Sequence, residues 1–122
     1  MKIVLTFLLF GGTIFVSAVN RGELLSQAPE KEASRPNPYA AEEWARKAGR
    51  KLFQRECATC HGREAEGGMR APALNRTEVR QAPPGAIVWV LRNGSLRHGM
   101  PSFAHLPEGQ RWEIVAFLQG KR

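Results

Sequence analysis

The sequence predicts an all-α domain, three to five short helices wrapped around one covalently held cofactor. Three observations predict it. Three stretches repeat apolar residues at three- and four-residue intervals, the period of a helix that buries one face. No stretch offers a strand together with a partner to pair with it. Finally, Cys57-Ala58-Thr59-Cys60-His61 places the only two cysteines of the chain in C-x-x-C-H spacing, the mark of covalent c-type haem attachment. Two thiols held two residues apart on a tight helical turn can each add across one haem vinyl group, which gives two thioethers. His61 then falls under the porphyrin, where its imidazole can take an axial position on iron.

The elements follow in order. Met1-Lys2 gives a positive start, residues 3–16 are apolar around Gly11-Gly12, and Val16-Ser17-Ala18 offers small residues for cleavage. Residues 1–18 therefore read as an export signal. The apolar stretch 3–19 falls slightly short of the ~20 residues of a spanning helix, and an uncleaved anchor is the rival reading. Residues 19–38 are polar, charged and broken by Pro29, Pro36 and Pro38, with no period that buries a face. They read as a flexible linker. The compact domain is then residues 39–122.

Its first helix is expected over 41–56, after the start signal Asn37-Pro38. Trp44, Ala45, Ala48, Leu52 and Phe53 share one face. Gly49 sits inside this helix at a cost of ~1 kcal/mol against alanine, which a close approach by another helix would explain. Residues 62–84 have no clear period and are expected to form an irregular loop around a flat cofactor. A second helix is expected over 85–92, stopped by Asn93-Gly94. Its Ile87, Val88, Val90 and Leu91 suit a strand as well, but no partner strand exists. The last helix is expected over 107–119, with Pro107 at its first turn. Trp112, Val115, Ala116 and Gln119 form one stripe and Ile114, Phe117 and Leu118 another, so most of its circumference should be buried. No Ser, Thr, Asp or Asn caps its start, and its first turn is expected to fray.

Rival readings of the cysteine pair fit less well. A thioredoxin-like dithiol wants a βαβ context. A structural zinc wants four ligands, and no second Cys or His pair stands at suitable spacing. With His61 as one iron ligand, the other axial position decides the chemistry. The candidates are Met69, His98, Met100, His105 and no protein ligand at all. Met69 leaves from the same side of the cofactor as His61. Met100 follows a helix able to carry the chain around the cofactor, and Pro101 stiffens its loop. A thioether on a rigid loop suits an electron carrier, because the ligand set changes little between the two iron states. His98 is the competitor; His98 and His105 otherwise read as exposed loop histidines.

Several short stretches then carry a resemblance. They are Gly49-Arg50-Lys51-Leu52-Phe53, Cys57-Ala58-Thr59-Cys60-His61-Gly62, Ala71-Pro72-Ala73-Leu74, Arg92-Asn93-Gly94, Gly99-Met100-Pro101-Ser102-Phe103 and 112–118. In order and spacing the chain resembles class I cytochrome c, the small bacterial monohaem kind, over residues 41–119. The resemblance implies that fold around one covalent haem c, with thioethers to Cys57 and Cys60 and iron bound by His61 and Met100. It implies that the Pro72 carbonyl accepts a hydrogen bond from the second ring nitrogen of His61 and so fixes the tautomer. It also implies that Gly49 and Phe53 meet Phe117 where first and last helices cross. Residues 20–38 belong to no part of that family's core. The propionate partners do not carry over; Arg70, Arg76, Trp89 and Arg92 are all candidates.

The function expected is a one-electron carrier rather than an enzyme, since a haem with two protein ligands has no open position. The alternatives are a haem subunit fixed in a larger dehydrogenase or oxidase complex, and a peroxidase-like or gas-binding protein with an open distal site. That last one would need His98 or His105 as acid–base group, and neither has an acid beside it in sequence. Haem attachment outside the cytoplasm agrees with an export signal, so the protein is expected in the periplasm, or anchored to the outer face of the inner membrane if residues 1–18 stay. The chain carries +7, and all 11 of its acidic residues are Glu. No nucleic-acid module or dense basic tract appears, so the charge points to redox partners with acidic docking surfaces. The protein is expected to act as a monomer.

Overall fold

A computed structural model describes residues 23–120. The expected export signal, residues 1–18, lies outside them. The described chain is helical: α1 (Glu23–Ser26), α2 (Glu30–Ala33), α3 (Glu43–Glu56), α4 (Ala58–His61), α5 (Thr77–Gln81), α6 (Pro84–Asn93), a 3-10 turn at Leu96–His98, and α7 (Glu108–Gln119). Its β pairing is one isolated antiparallel bridge between Ser95 and Met100. Among the described residues no helix is long and apolar enough to cross a membrane.

The frame is the crossing of α3 and α7. Ala45, Gly49, Leu52 and Phe53 of α3 are buried, and Phe53 meets Phe117 with ring centroids 5.2 Å apart. A Cβ at Gly49 would fall inside the Glu113 carbonyl of α7. Here the glycine is the condition for the crossing, and its cost in helix propensity is offset by the packing it permits. Helix α7 buries Arg111, Trp112, Ile114, Val115, Ala116, Phe117 and Leu118, as its double stripe predicts. Helix α6 has Pro84 in its first turn and buries Ile87, Val88, Val90 and Leu91. It packs on α7, which resolves the strand alternative in favour of helix.

Two expectations are corrected. Residues 62–84 are not wholly irregular, since α5 lies within them. With five residues it is too short to display a helical period. It is held from outside: the Gln119 side-chain amide donates to the carbonyls of Val79 at 3.0 Å and Ala82 at 2.7 Å.

The larger correction concerns the flexible linker expected over 19–38. From residue 23 onward it is built into the fold as a strap, α1 and α2, lying along α6. Leu25 packs on the hydrophobic core. A Cβ at Gly85 would strike the Glu32 carbonyl, so this glycine admits the strap against the start of α6. Three further ties hold it. Arg35 pairs with Glu108 at 2.6 Å, its guanidinium lies 5.4 Å from the Trp112 ring centroid, and buried Asn37 donates to the Trp112 carbonyl at 3.0 Å. Of the prolines that suggested disorder, Pro29 starts α2, Pro36 lies between Arg35 and Asn37, and Pro38 stands in the turn that follows. The uncapped first turn of α7 is also steadied, because Glu108 sits where the helix dipole favours an acid and carries the ion pair to Arg35.

Candidate haem site

Helix α3 ends at Glu56 and α4 begins at once, with Cys57 between them. The Cys57 carbonyl accepts from the amides of Cys60 at 3.2 Å and His61 at 3.0 Å. This turn carries both sulfurs and the imidazole on one short support. Gly62 follows at φ 82°, a left-handed value that ends the turn and sends the chain away.

Both cysteines are free thiols, Cys57 buried and Cys60 exposed. Burial first, then the charges of Glu56 and Cys60, pushes the Cys57 thiol up to about 12. A thiol that stays protonated at neutral pH is a poor thiolate ligand and a poor exchange nucleophile. Among the described residues no group of three or more His, Cys, Asp or Glu stands together to hold a metal ion. The dithiol and zinc readings both lose ground on these observations.

The His61 ring is oriented from behind. Its Nδ1 lies 2.9 Å from the Pro72 carbonyl. A carbonyl only accepts, so Nδ1 carries the proton and Nε2 keeps its lone pair for a ligand. The Gly67 amide donates to the His61 carbonyl at 2.7 Å, which ties the same loop to the backbone of the motif.

Met100 arrives by another route. Its carbonyl accepts from the Ser95 amide at 2.9 Å, and its own amide donates to the Ser95 carbonyl at 3.0 Å. Beyond it, the Ser102 hydroxyl donates to the Arg92 carbonyl at 2.6 Å, and the Phe103 amide donates to the Leu91 carbonyl at 2.8 Å. The methionine loop is thus laced to the end of α6. Its far end is held by Arg111, which is only 7% exposed. The Arg111 guanidinium donates to the Leu106 carbonyl and lies 3.5 Å from those of Phe103 and Ala104.

These elements enclose a cavity of about 430 Å³. Cys57, Cys60, His61, Pro72 and Met100 all line it, so the structure brings every expected site residue to one place. Its walls are apolar, from Phe53, Leu74, Ile87, Val90, Leu91, Phe103, Ile114 and Leu118. The donor set fits a covalent haem: two thiols on one turn, an imidazole with its lone pair preset, and a thioether in the same apolar chamber. His98 also lines the cavity, but its Nδ1 is 2.7 Å from the Ser95 hydroxyl. Met69 is fully exposed, and neither it nor His105 lines the cavity. Of the four candidate propionate partners, Arg70 alone lines it.

Sequence reasoning missed three contributors. Glu23, Leu24, Leu25 and Gln27 of the strap form part of the wall, and their only sequence signal is a pair of leucines in a polar stretch. Arg111 was hidden as one more basic residue among many. The bridge from Ser95 to Met100 leaves no sequence signal beyond the flanking glycines.

Comparison with known proteins agrees with this geometry. Residues 45–118 match the family described as cytochrome c oxidase, cbb3-type, subunit III. Cytochrome c550 of Pseudomonas aeruginosa is 31% identical over 86 residues, which cover 67% of this chain and 59% of that protein. The crystal structure of cytochrome cL from the marine methylotroph Methylophaga aminisulfidivorans aligns with a TM-score of 0.58 at 29% identity, over 66% of this chain and 55% of that one. Cytochrome cL from Hyphomicrobium denitrificans gives 0.58 at 19% identity, over 79% of this chain and 64% of that one, and at this identity the likeness concerns the fold alone. The chain thus spans about three fifths of the length of the curated relative it matches.

Proposed function

Since this chain belongs to the class I c-type cytochromes, in the family described as cytochrome c oxidase, cbb3-type, subunit III, we propose that it is an exported one-electron carrier with a His/Met-ligated haem c. When bound, the haem supplies one-electron exchange at iron. Cys57 and Cys60 would hold it through thioethers. His61 would offer Nε2 to the iron, and Pro72 keeps that ring in the right tautomer through Nδ1. Met100 would offer its sulfur as the second ligand. The apolar walls keep water away, and the paired strands of hydrogen bonds at Ser95 and Leu91 keep the methionine loop still when charge changes. Such a site has no position left for a substrate and acts by meeting other redox proteins.

The single observation that carries this reading is that His61 and Met100 line one cavity, the first with its free nitrogen preset by a 2.9 Å hydrogen bond. The test is spectroscopic. The ferric protein should show the weak far-red sulfur-to-iron charge-transfer band, and Met100→Ala should abolish it. A band that survives the substitution would refute Met100 as ligand. A wild type without it would favour His98 or an open site.

In this proposal residues 1–18 are an export signal or anchor, the haem domain takes in the strap from residue 23 onward, and the protein works in the periplasm or at the outer face of the inner membrane. Its partners are redox proteins with acidic docking surfaces, met by a monomer. One observation favours a second reading. The matching family takes its description from an oxidase subunit, and a haem subunit fixed in a larger complex would share this site. Gentle extraction followed by sizing separates the two readings: a carrier runs at the size of one chain, a subunit in a large assembly.

A further inference from the structure

The strap of residues 23–35 lies outside the stretch matched by the family, residues 45–118. It is nonetheless part of the haem cavity. Leu24, Leu25, Gln27 and Glu23 line the chamber together with His61 and Met100. Leu25 is packed against the core cluster, and Leu24 is half-buried. The strap is held by features of the domain beneath it. Gly85 lacks the Cβ that would collide with the Glu32 carbonyl. Arg35 binds Glu108 at 2.6 Å and lies over Trp112. A segment that merely trailed from the domain would need none of these.

We propose that residues 23–35 are a wall of the haem site that raises its reduction potential by keeping water from the cavity. The ferric centre carries one more positive charge than the ferrous one. Solvent stabilises that charge, so a wall of leucine in place of water penalises the ferric form. Two leucines facing the chamber supply that apolar surface, and the ties at Gly85, Arg35 and Trp112 hold it in place. The inference rests on a haem in this cavity and is independent of whether Met100 or another group is the second axial ligand.

The experiment is a spectroelectrochemical titration of three holoproteins at fixed pH and salt. They are the full chain, the full chain with Leu24→Ser and Leu25→Ser together, and the full chain with residues 23–35 deleted behind intact residues 1–22. Mass spectrometry first establishes covalent haem in each. We expect both variants to hold their haem and to shift the reduced-to-oxidised ratio at a given potential about tenfold toward the oxidised form, a midpoint lowered by about 59 mV for one electron. A purely structural strap would lower melting temperature and leave the midpoint where it was. An unchanged midpoint in the double serine variant overturns the proposal, and that variant decides the matter if the deletion fails to fold. Loss of the far-red band from the unmodified protein would overturn Met100 ligation instead, and it leaves the midpoint comparison intact.

Discussion

Arg111 shows how one side chain can set the shape of a functional loop. It is buried, and its guanidinium serves carbonyls of the chain between Met100 and α7 rather than a carboxylate. Its Nε finds no hydrogen-bond partner, so part of the cost of burial is left uncompensated. The charge is retained because the turn at 103–106 exposes carbonyls inward and needs a donor that reaches several at once. Arg111→Met keeps volume and removes the donors. It should destabilise the holoprotein by about 2 kcal/mol, in the range for lost hydrogen bonds to a charged group, measured by guanidinium chloride unfolding of both proteins. No loss would mean that the turn holds itself. Sequence reading cannot find such a residue, since an arginine in a strongly basic chain looks like solvated surface. Gly49 is the opposite case. A glycine inside a helical period is a visible anomaly, and the close approach it suggests is the one the Glu113 carbonyl makes.

At the scale of elements, legibility follows length and self-sufficiency. Helices α3, α6 and α7 span 14, 10 and 12 residues, enough for three turns or nearly so, and their apolar periods show in the sequence. Their observed ends differ from the expected ones by two residues or fewer, as fraying ends do. Helices α1, α2 and α5 have four or five residues each. None buries a face of its own, and each owes its place to partners far along the chain: Gly85, Trp112 and Glu108 for the strap, Gln119 for α5. A local period cannot report a contact between residues 37 and 112. That contact gives the element-scale prediction. Asn37→Ala removes a donor from a buried carbonyl and should cost about 1–2 kcal/mol, a shift of a few degrees in melting temperature for a domain of this size. Amide exchange should quicken over 23–37 while α3 and α7 stay protected. Unchanged exchange in the strap would show that Arg35 and Gly85 suffice to hold it.

For the molecule as a whole, charge is the property left to read. The chain carries +7 with 18 Lys and Arg against 11 Glu. The surface ion pairs, such as Glu43 with Arg46 at 2.5 Å and with Lys47 at 3.7 Å, are exposed and contribute little to stability. Their excess of unpaired cations is therefore better understood as a long-range field than as a set of bonds. For the proposed carrier, which would meet its partners by collision, encounter must be fast, and a field of one sign raises the rate with partners of the other. The field reaches about 10 Å at 0.1 M salt and about 3 Å at 1 M. Oxidation of the ferrous protein by ferricyanide, an anion, should accordingly slow steeply across that range. A cationic cobalt complex used as oxidant should instead speed up, because salt relieves repulsion. Stopped-flow traces with both reagents separate the sign of the field at the reacting face from simple changes in driving force, which would move both rates the same way. If both rates ignore salt, the net charge is spread away from the haem cavity, and docking on acidic partners would have to be given up in favour of apolar contact or permanent assembly.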